Sequence, residues 1–175
     1  YLDARREARR RDCEFIPLSD QDPSQWDLTK IQEAERHLFT ASREASLGRY
    51  QIEAAIQSVH CNRLHSGETD WPMLLELYNL LLSQAPSMGA ALARIQVISE
   101  IHGAEFALEE LDLFHEGQLE EFLPYHALRA DLLCKIGEYE AAAKSYLAAE
   151  SLVQDAAIAS YFHEKRMFAL AVQVQ

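Results

Sequence analysis

The sequence predicts an all-α fold made of antiparallel helical hairpins. Apolar residues recur every three or four positions along almost the whole chain, the spacing of one face of a helix. Strand patterns are nearly absent, since only Glu14-Phe15-Ile16 reads as extended. Gly, Pro and capping residues separate the apolar stripes, as expected at helix ends. With 175 residues, 49% of them hydrophobic, the chain can form one globular domain, or two small ones that share a core.

The first residues are predicted to be helical from Ala4 to Arg11. Five arginines crowd this stretch: Arg5, Arg6, Arg9, Arg10 and Arg11. A solvated helix face or the end of a linker explains such a charge run. The alternative is a segment that lies close to a polymerase or to DNA.

The next helices follow in order from their stripes and caps. A capping box, Ser24-x-x-Asp27, is predicted to open the first long helix after Pro23. Asp70 is a predicted N-cap, with Pro72 in the first turn, where its missing N–H costs nothing. The apolar stripes are Leu28, Ile31, Ala34, Leu38, Ala41, Ala45; Ile52, Ala55, Ile56, Val59; Leu74, Leu77, Tyr78, Leu81; Leu92, Ile95, Ile98 after Ser87; Ala107, Leu111, Phe114 after Gly103; Tyr125, Leu128, Leu132, Ile136 after Pro124; Tyr139, Ala142, Tyr146, Ala149 after Gly137; and Ile158, Phe162, Ala169.

A degenerate repeat is predicted in the second half. Gly103 and Gly137 lie 34 residues apart, the tetratricopeptide period. The pattern Gly137-x-Tyr139-x-x-Ala142-x-x-x-Tyr146-x-x-Ala149 matches the packed spine of such a repeat, in which Gly allows the turn and Ala lets helices approach. We therefore predict extra helices in 1–68, then two to three degenerate tetratricopeptide-like repeats in 69–175 with Asp155 to Gln173 as a capping helix. The two parts are expected to form one continuous domain, a fragment of a longer protein. Stacks of this kind favour partner binding over catalysis.

Composition and motifs exclude several function classes. The formal charge of −12 argues against a nucleic-acid surface. An odd count of three widely spaced cysteines fits reduced cytosolic thiols, and no stretch approaches the ~20 apolar residues of a membrane helix. His60 and His65 lack any accompanying ligand motif, and no nucleophile or phosphate-loop motif is present. No enzyme activity, metal or cofactor is therefore predicted.

Six short motifs, in order, carry a resemblance to a known family. They are Asp20-Gln21-Asp22, Trp26-Asp27, Gly48-Arg49-Tyr50-Gln51, Ala54-Ala55-Ile56, Val59-His60 and Thr69-Asp70-Trp71. Together with Tyr125-His126, Arg129 to Leu133 and the Gly137 repeat, they resemble the C-terminal extension of one group of bacterial extracytoplasmic-function sigma factors. The chain departs from that family at Pro23, where Arg is usual, and at Met88 to Arg94.

The resemblance implies a regulatory, protein-interaction domain in the bacterial cytoplasm. Its partners would be the sigma domains upstream in the same protein, core RNA polymerase, or both, with promoter DNA bound only by the missing N-terminal part. Membrane binding is not implied. The alternative is a free-standing tetratricopeptide-like scaffold for a peptide or protein partner.

The polar residues before the repeats are the candidate interaction site. Helix-start acids and a Gln can be local caps and turn formers. Polar side chains beside an apolar stripe also form docking surfaces. We therefore predict that Asp20 to Trp26 packs against the Tyr50 to His60 helix to form one patch that receives the sigma domains. The candidate residues are Asp20, Gln21, Asp22, Trp26, Tyr50, Gln51 and His60.

Overall fold

The computed structural model describes residues 1–44, 47–114 and 119–173. Ala45, the last residue of the first predicted stripe, lies outside these residues. Eight α-helices account for most of the described chain, which confirms the predicted all-α class. The helices are α1 (Leu28–Ala41), α2 (Arg49–Ser66), α3 (Trp71–Gln84), α4 (Met88–His102), α5 (Ala104–Asp112), α6 (Leu123–Lys135), α7 (Tyr139–Ser151) and α8 (Ala156–Gln173).

Contacts divide the chain into two compact units, Tyr1–Ala91 and Leu92–Gln175. In the first unit, α2 packs against both α1 and α3. In the second unit, α6 packs against α5 and α7, and α7 packs against α8. The predicted division at residue 68, which marks where repeats would begin, stays a prediction, as do the repeats themselves.

The first residues are not the α-helix predicted for Ala4 to Arg11. They form two short 3₁₀ turns, Asp3–Arg5 and Glu7–Arg9, followed by strand β1 (Arg10–Arg11). β1 pairs with β2 (Glu14–Phe15), and the tight turn between them places Asp12 and Cys13 at positive φ. Arginines three to five residues apart repel one another on a helix, and this repulsion disfavours the predicted form.

The caps of the first unit are partly as predicted. The Asp70 carboxylate accepts a hydrogen bond from the Met73 N–H at 3.0 Å, so it is the N-cap of α3. The predicted capping box at Ser24 is wrong. Asp27 caps α1 through the Lys30 N–H, at 3.1 Å, whereas Ser24 lies in a separate 3₁₀ turn, Pro23–Gln25.

The Gly137 spine forms the core of the second unit. Gly137 has a φ of +83°, the left-handed conformation that glycine adopts without steric cost. After this turn α7 buries Ala142, Tyr146 and Ala149 against α6 and α8, with Phe162 of α8 facing Tyr146 at 6.4 Å between ring centroids. Of the predicted spine, Ala142, Tyr146 and Ala149 thus lie in the core, whereas Tyr139 is half-buried. Phe114, the last residue of the α5 stripe, falls beyond the end of that helix.

Candidate protein-interaction site

Trp26 belongs to a buried cluster of the first unit. The turn before it is fixed by Asp22, whose carboxylate accepts from the Ser24 N–H at 2.9 Å. Only 4% of Trp26 is exposed, and it packs with Ala4, Ala8, Ile31 and Cys61. Such burial identifies Trp26 as a core residue rather than a surface anchor.

Two arginines lie over the Trp26 indole. The guanidinium carbon of Arg63 is 5.2 Å from the ring centroid, and that of Arg5 is 5.8 Å away. Both distances are within the range of a cation–π contact. Arg5 and Arg63 therefore join the first residues of the chain, the Trp26 turn and α2 in one cluster, which we call the Trp26 cluster.

Arg63 holds the segment before Trp26 in place. Its two terminal nitrogens donate to three backbone carbonyl oxygens, of Ser19 at 3.2 Å, Leu18 at 2.9 Å and Gln21 at 2.9 Å. A planar guanidinium suits this task because its donors form a rigid fork. This role was not predicted from the sequence, because Arg63 belongs to none of the motifs.

Arg5 is the second residue that sequence reasoning missed. Only 5% of it is exposed, and it donates to the Gln57 side chain, 52 residues away. Burial lowers the pKa of its guanidinium, and the nearby Arg9 and Arg63 lower that pKa further. Its place in an arginine run predicts a solvated side chain, whereas the buried Ala4 and Ala8, four residues apart, mark the inward face of this segment.

The Trp26 cluster contains polar atoms with no partner among the described residues. They are the Arg5 Nη1, the Gln21 Oε1 and the Trp26 Nε1. Gln21 is otherwise buried and tied down, since its Nε2 donates to the Ile16 carbonyl at 3.1 Å. A buried unsatisfied group costs about 1–3 kcal/mol, so the cluster is held by the packing around it.

The two acids of the first motif have local roles in the structure. Asp20 is exposed and accepts from the Ser19 hydroxyl at 2.7 Å. Asp22 is also exposed, and its pKa is lowered by the hydrogen bond from the Ser24 backbone. Both carboxylates therefore act as turn formers within their own segment.

Gln51 has a local structural role at the start of α2. Its Oε1 accepts from the Gly48 N–H at 2.6 Å, which closes the first turn of α2. Its Nε2 donates to the Ala41 carbonyl, also at 2.6 Å, and so links the start of α2 to the end of α1. Gly48 has no side chain to cap α2, and the Gln51 side chain supplies only the reciprocal half of a capping box, because it accepts from the N-cap N–H.

Tyr50 and His60 lie at different places along α2. Tyr50 is 79% exposed, with the Arg49 guanidinium 5.8 Å from its ring centroid. His60 is largely buried, and burial, with the charges of Arg5 and Arg63, lowers its pKa to about 4. Ten residues of helix span about 15 Å, so the two side chains cannot contact one common small site.

The predicted patch is therefore only partly assembled. The Asp20 to Trp26 segment packs against α2, but at the Gln57 to Arg63 end, where it is joined by His60. Tyr50 and Gln51 lie at the other end of α2, beside the end of α1. What remains exposed and apolar there is Tyr50, with Phe39 and Leu47 also exposed at the same end of the hairpin. We call these three residues the hairpin tip.

Comparison with known proteins gives two matches. Residues 1–42 match a protein family described as a family of unknown function (DUF6596). The matched residues include all of α1 and, from the Trp26 cluster, Arg5, Gln21 and Trp26. Arg63 lies outside the match. An uncharacterized protein of Rhizobium meliloti (strain 1021) is 33% identical over 146 residues, which cover 83% of this chain. The chain spans about a third (34%) of that relative's length.

No solved structure matches the chain. Neither match names an activity, a substrate or a partner, so the resemblance to sigma factors stays a prediction. Within the described ranges, no three His, Cys, Asp or Glu side chains come together as a metal site. Among the same residues, no helix combines the length and apolar character needed to cross a bilayer.

Proposed function

We propose that this chain is the C-terminal regulatory domain of a bacterial extracytoplasmic-function sigma factor. It modulates transcription initiation in the cytoplasm through contacts with the upstream sigma domains or core RNA polymerase. It has no catalytic role, and promoter DNA is bound by other parts of the protein. The order of the six motifs named above is the origin of this proposal.

The observation that carries the proposal is the exposure of Tyr50. Tyr50 belongs to one of the motifs, yet it contributes nothing to the core of the first unit. Together with Phe39 and Leu47 it leaves apolar and aromatic surface in water at the hairpin tip. Tyrosine beside arginine is typical of the energetic centres of protein interfaces, and Arg49 and Arg43 lie over Tyr50 and Phe39. The length of the Rhizobium relative is compatible with a domain that works beside others in one polypeptide.

The experiment compares two variants of the whole protein that contains this chain. Tyr50→Ala removes an exposed side chain, so the free energy of unfolding should change by less than about 0.5 kcal/mol. In vitro transcription with core polymerase should nevertheless change severalfold. Gln21→Ala removes a buried side chain, so its effect on transcription should follow a loss of stability of about 1–3 kcal/mol.

Leu113→Ala is the matched control for Tyr50→Ala. Leu113 is similarly exposed, at 76%, but lies in the second unit and in no motif. Transcription by Tyr50→Ala equal to that by Leu113→Ala would refute the role of the hairpin tip. An open reading frame without sigma domains upstream of Tyr1 would refute the sigma-factor assignment and leave the free-standing scaffold.

A further inference from the structure

A groove of about 430 Å³ lies in the first unit, between α1, α2 and the start of α3. It is separate from the hairpin tip, because its lining residues on α2 begin at Ser58, two turns beyond Tyr50. The volume is within the range of ligand sites in proteins and is enough for one or two large side chains.

The groove has an apolar base and an open mouth. Ile31 and Cys61 are almost completely buried and form the base, with Val59 beside them. Met73 is 48% exposed and lines the same groove. A flexible, polarizable Met at the mouth of a groove adapts well to an incoming apolar side chain.

Two carboxylates line the groove, and lysine and arginine are absent from its lining. The Glu35 carboxylate is half-buried and accepts from the Ser58 hydroxyl at 2.6 Å, and the Tyr1 hydroxyl, which carries no charge at neutral pH, lies beside it. It makes no ion pair with any Lys, Arg or His in the part of the chain that the structure describes. Asp70 uses one oxygen to cap α3 through the Met73 N–H. His65, exposed on α2, is the remaining titratable group of the mouth.

We propose that this groove binds a lysine or arginine side chain that an apolar segment of a partner polypeptide presents. The charged group would meet Glu35 and Asp70, and its apolar neighbours would lie on Ile31 and Met73. The argument is charge complementarity: a carboxylate held beside apolar surface and lacking a cation gains most from a charged hydrogen-bond donor. Because the groove is open along one side, it suits a side chain attached to a polypeptide better than an enclosed small molecule. The proposal does not depend on the sigma-factor assignment.

The probe is a set of three helical peptides of one design. The first peptide is built of Leu and Ala and carries Lys residues along one face of the helix. The second carries Gln, and the third Glu, in place of each Lys. The chain is labelled with ¹³C at its three methionine methyl groups. Met73 reports on the groove, while Met88 and Met167 lie outside it and serve as internal controls. The Lys peptide should shift the Met73 signal alone, with a Kd below about 1 mM, and the Glu peptide should not shift it.

Glu35→Gln tests the charge while it keeps an acceptor for Ser58. It should weaken binding of the Lys peptide about tenfold and leave the melting temperature unchanged. Glu33→Gln is the control, since Glu33 is exposed on α1 and lies outside the groove. Glu33→Gln removes the same charge and should leave the affinity for the Lys peptide unchanged. The comparison therefore distinguishes a specific contact with Glu35 from general attraction of a cationic peptide to a chain of charge −12.

Three results would overturn the proposal. They are no Met73 shift at 1 mM Lys peptide, equal shifts with the Gln peptide, or equal losses in Glu35→Gln and Glu33→Gln. A Met73 shift that grows with protein concentration in the absence of peptide would identify a second copy as the occupant and would also overturn it. None of these results bears on transcription by Tyr50→Ala, so the two proposals fail separately.

Discussion

Replacing Arg63 by alanine should destabilise the first unit by about 2–4 kcal/mol. The side chain donates three hydrogen bonds to backbone carbonyls and lies over Trp26. A hydrogen bond from a charged donor contributes about 1.5–3 kcal/mol, and a cation–π contact about 0.5–1. The sum overstates the loss, because two carbonyls share one nitrogen and water can reach a half-buried site.

The assay is urea unfolding followed by tryptophan fluorescence. In a Trp71→Phe background, Trp26 is the single tryptophan and reports on the first unit alone. For a unit of this size, the free energy of unfolding should fall by about 1.5 kcal/mol for each molar of urea. If Arg63→Ala lowers that free energy by about 3 kcal/mol, the unfolding midpoint moves down by about 2 M urea. Arg63→Lys should fall between wild type and Arg63→Ala, because an ammonium keeps the charge but not the fork.

Arg36→Ala is the control for Arg63→Ala. Arg36 is exposed on α1, and its Nε donates to the Gln32 carbonyl of its own helix at 3.3 Å. Its removal should cost less than about 0.5 kcal/mol. An Arg63→Ala midpoint within error of that of Arg36→Ala would refute the view that Arg63 holds the Leu18 to Gln21 segment.

Three further predictions concern the second unit, acid and DNA. Ala142→Leu should overpack the fully buried contact of α7 and lower the free energy of unfolding by about 1–3 kcal/mol, measured by thermal unfolding. Ala156→Leu is the control, because Ala156 is exposed at the start of α8 and its replacement should not destabilise the fold. Equal melting temperatures of the two variants would contradict the packing of Ala142. The folded-state pKa of His60, about 4, lies below its unfolded value near 6.5, so the free energy of unfolding should fall as the pH is lowered from 6.5 to 4. The slope of that free energy against pH should correspond to about one proton and should disappear in His60→Gln. An unchanged slope in His60→Gln would contradict this. The isolated chain should not bind promoter DNA at physiological salt, and sub-micromolar sequence-specific binding in a fluorescence assay would contradict the argument from its −12 charge.

Local signals were sufficient for much of the fold. Asp70 with Pro72 marked the start of α3, and the Gly137 spine placed Ala142 and Tyr146 in the core, because capping and helical periodicity act within a few residues. These features depend on neighbours in sequence. A pattern of residues therefore predicts them well.

Long-range contacts explain what the sequence did not reveal. Arg5 is buried because it contacts Gln57 and Trp26, and the arginine run by itself does not distinguish it from the exposed arginines beside it. The candidate site was similarly divided by contacts that spacing cannot show. Gln51 forms local hydrogen bonds at the start of α2, and Tyr50 beside it stays exposed.

The turn between β1 and β2 has a practical consequence for the chemistry of the chain. Cys13 is exposed at its tip, while Cys61 is buried and Cys134 half-buried, and burial raises the pKa of both of these thiols. Alkylating reagents react with thiolates, so Cys13 is the thiol that a maleimide dye modifies first at neutral pH. Since paired strands anchor the turn, a dye there would report on any protein that approaches the first unit without a cysteine having to be engineered.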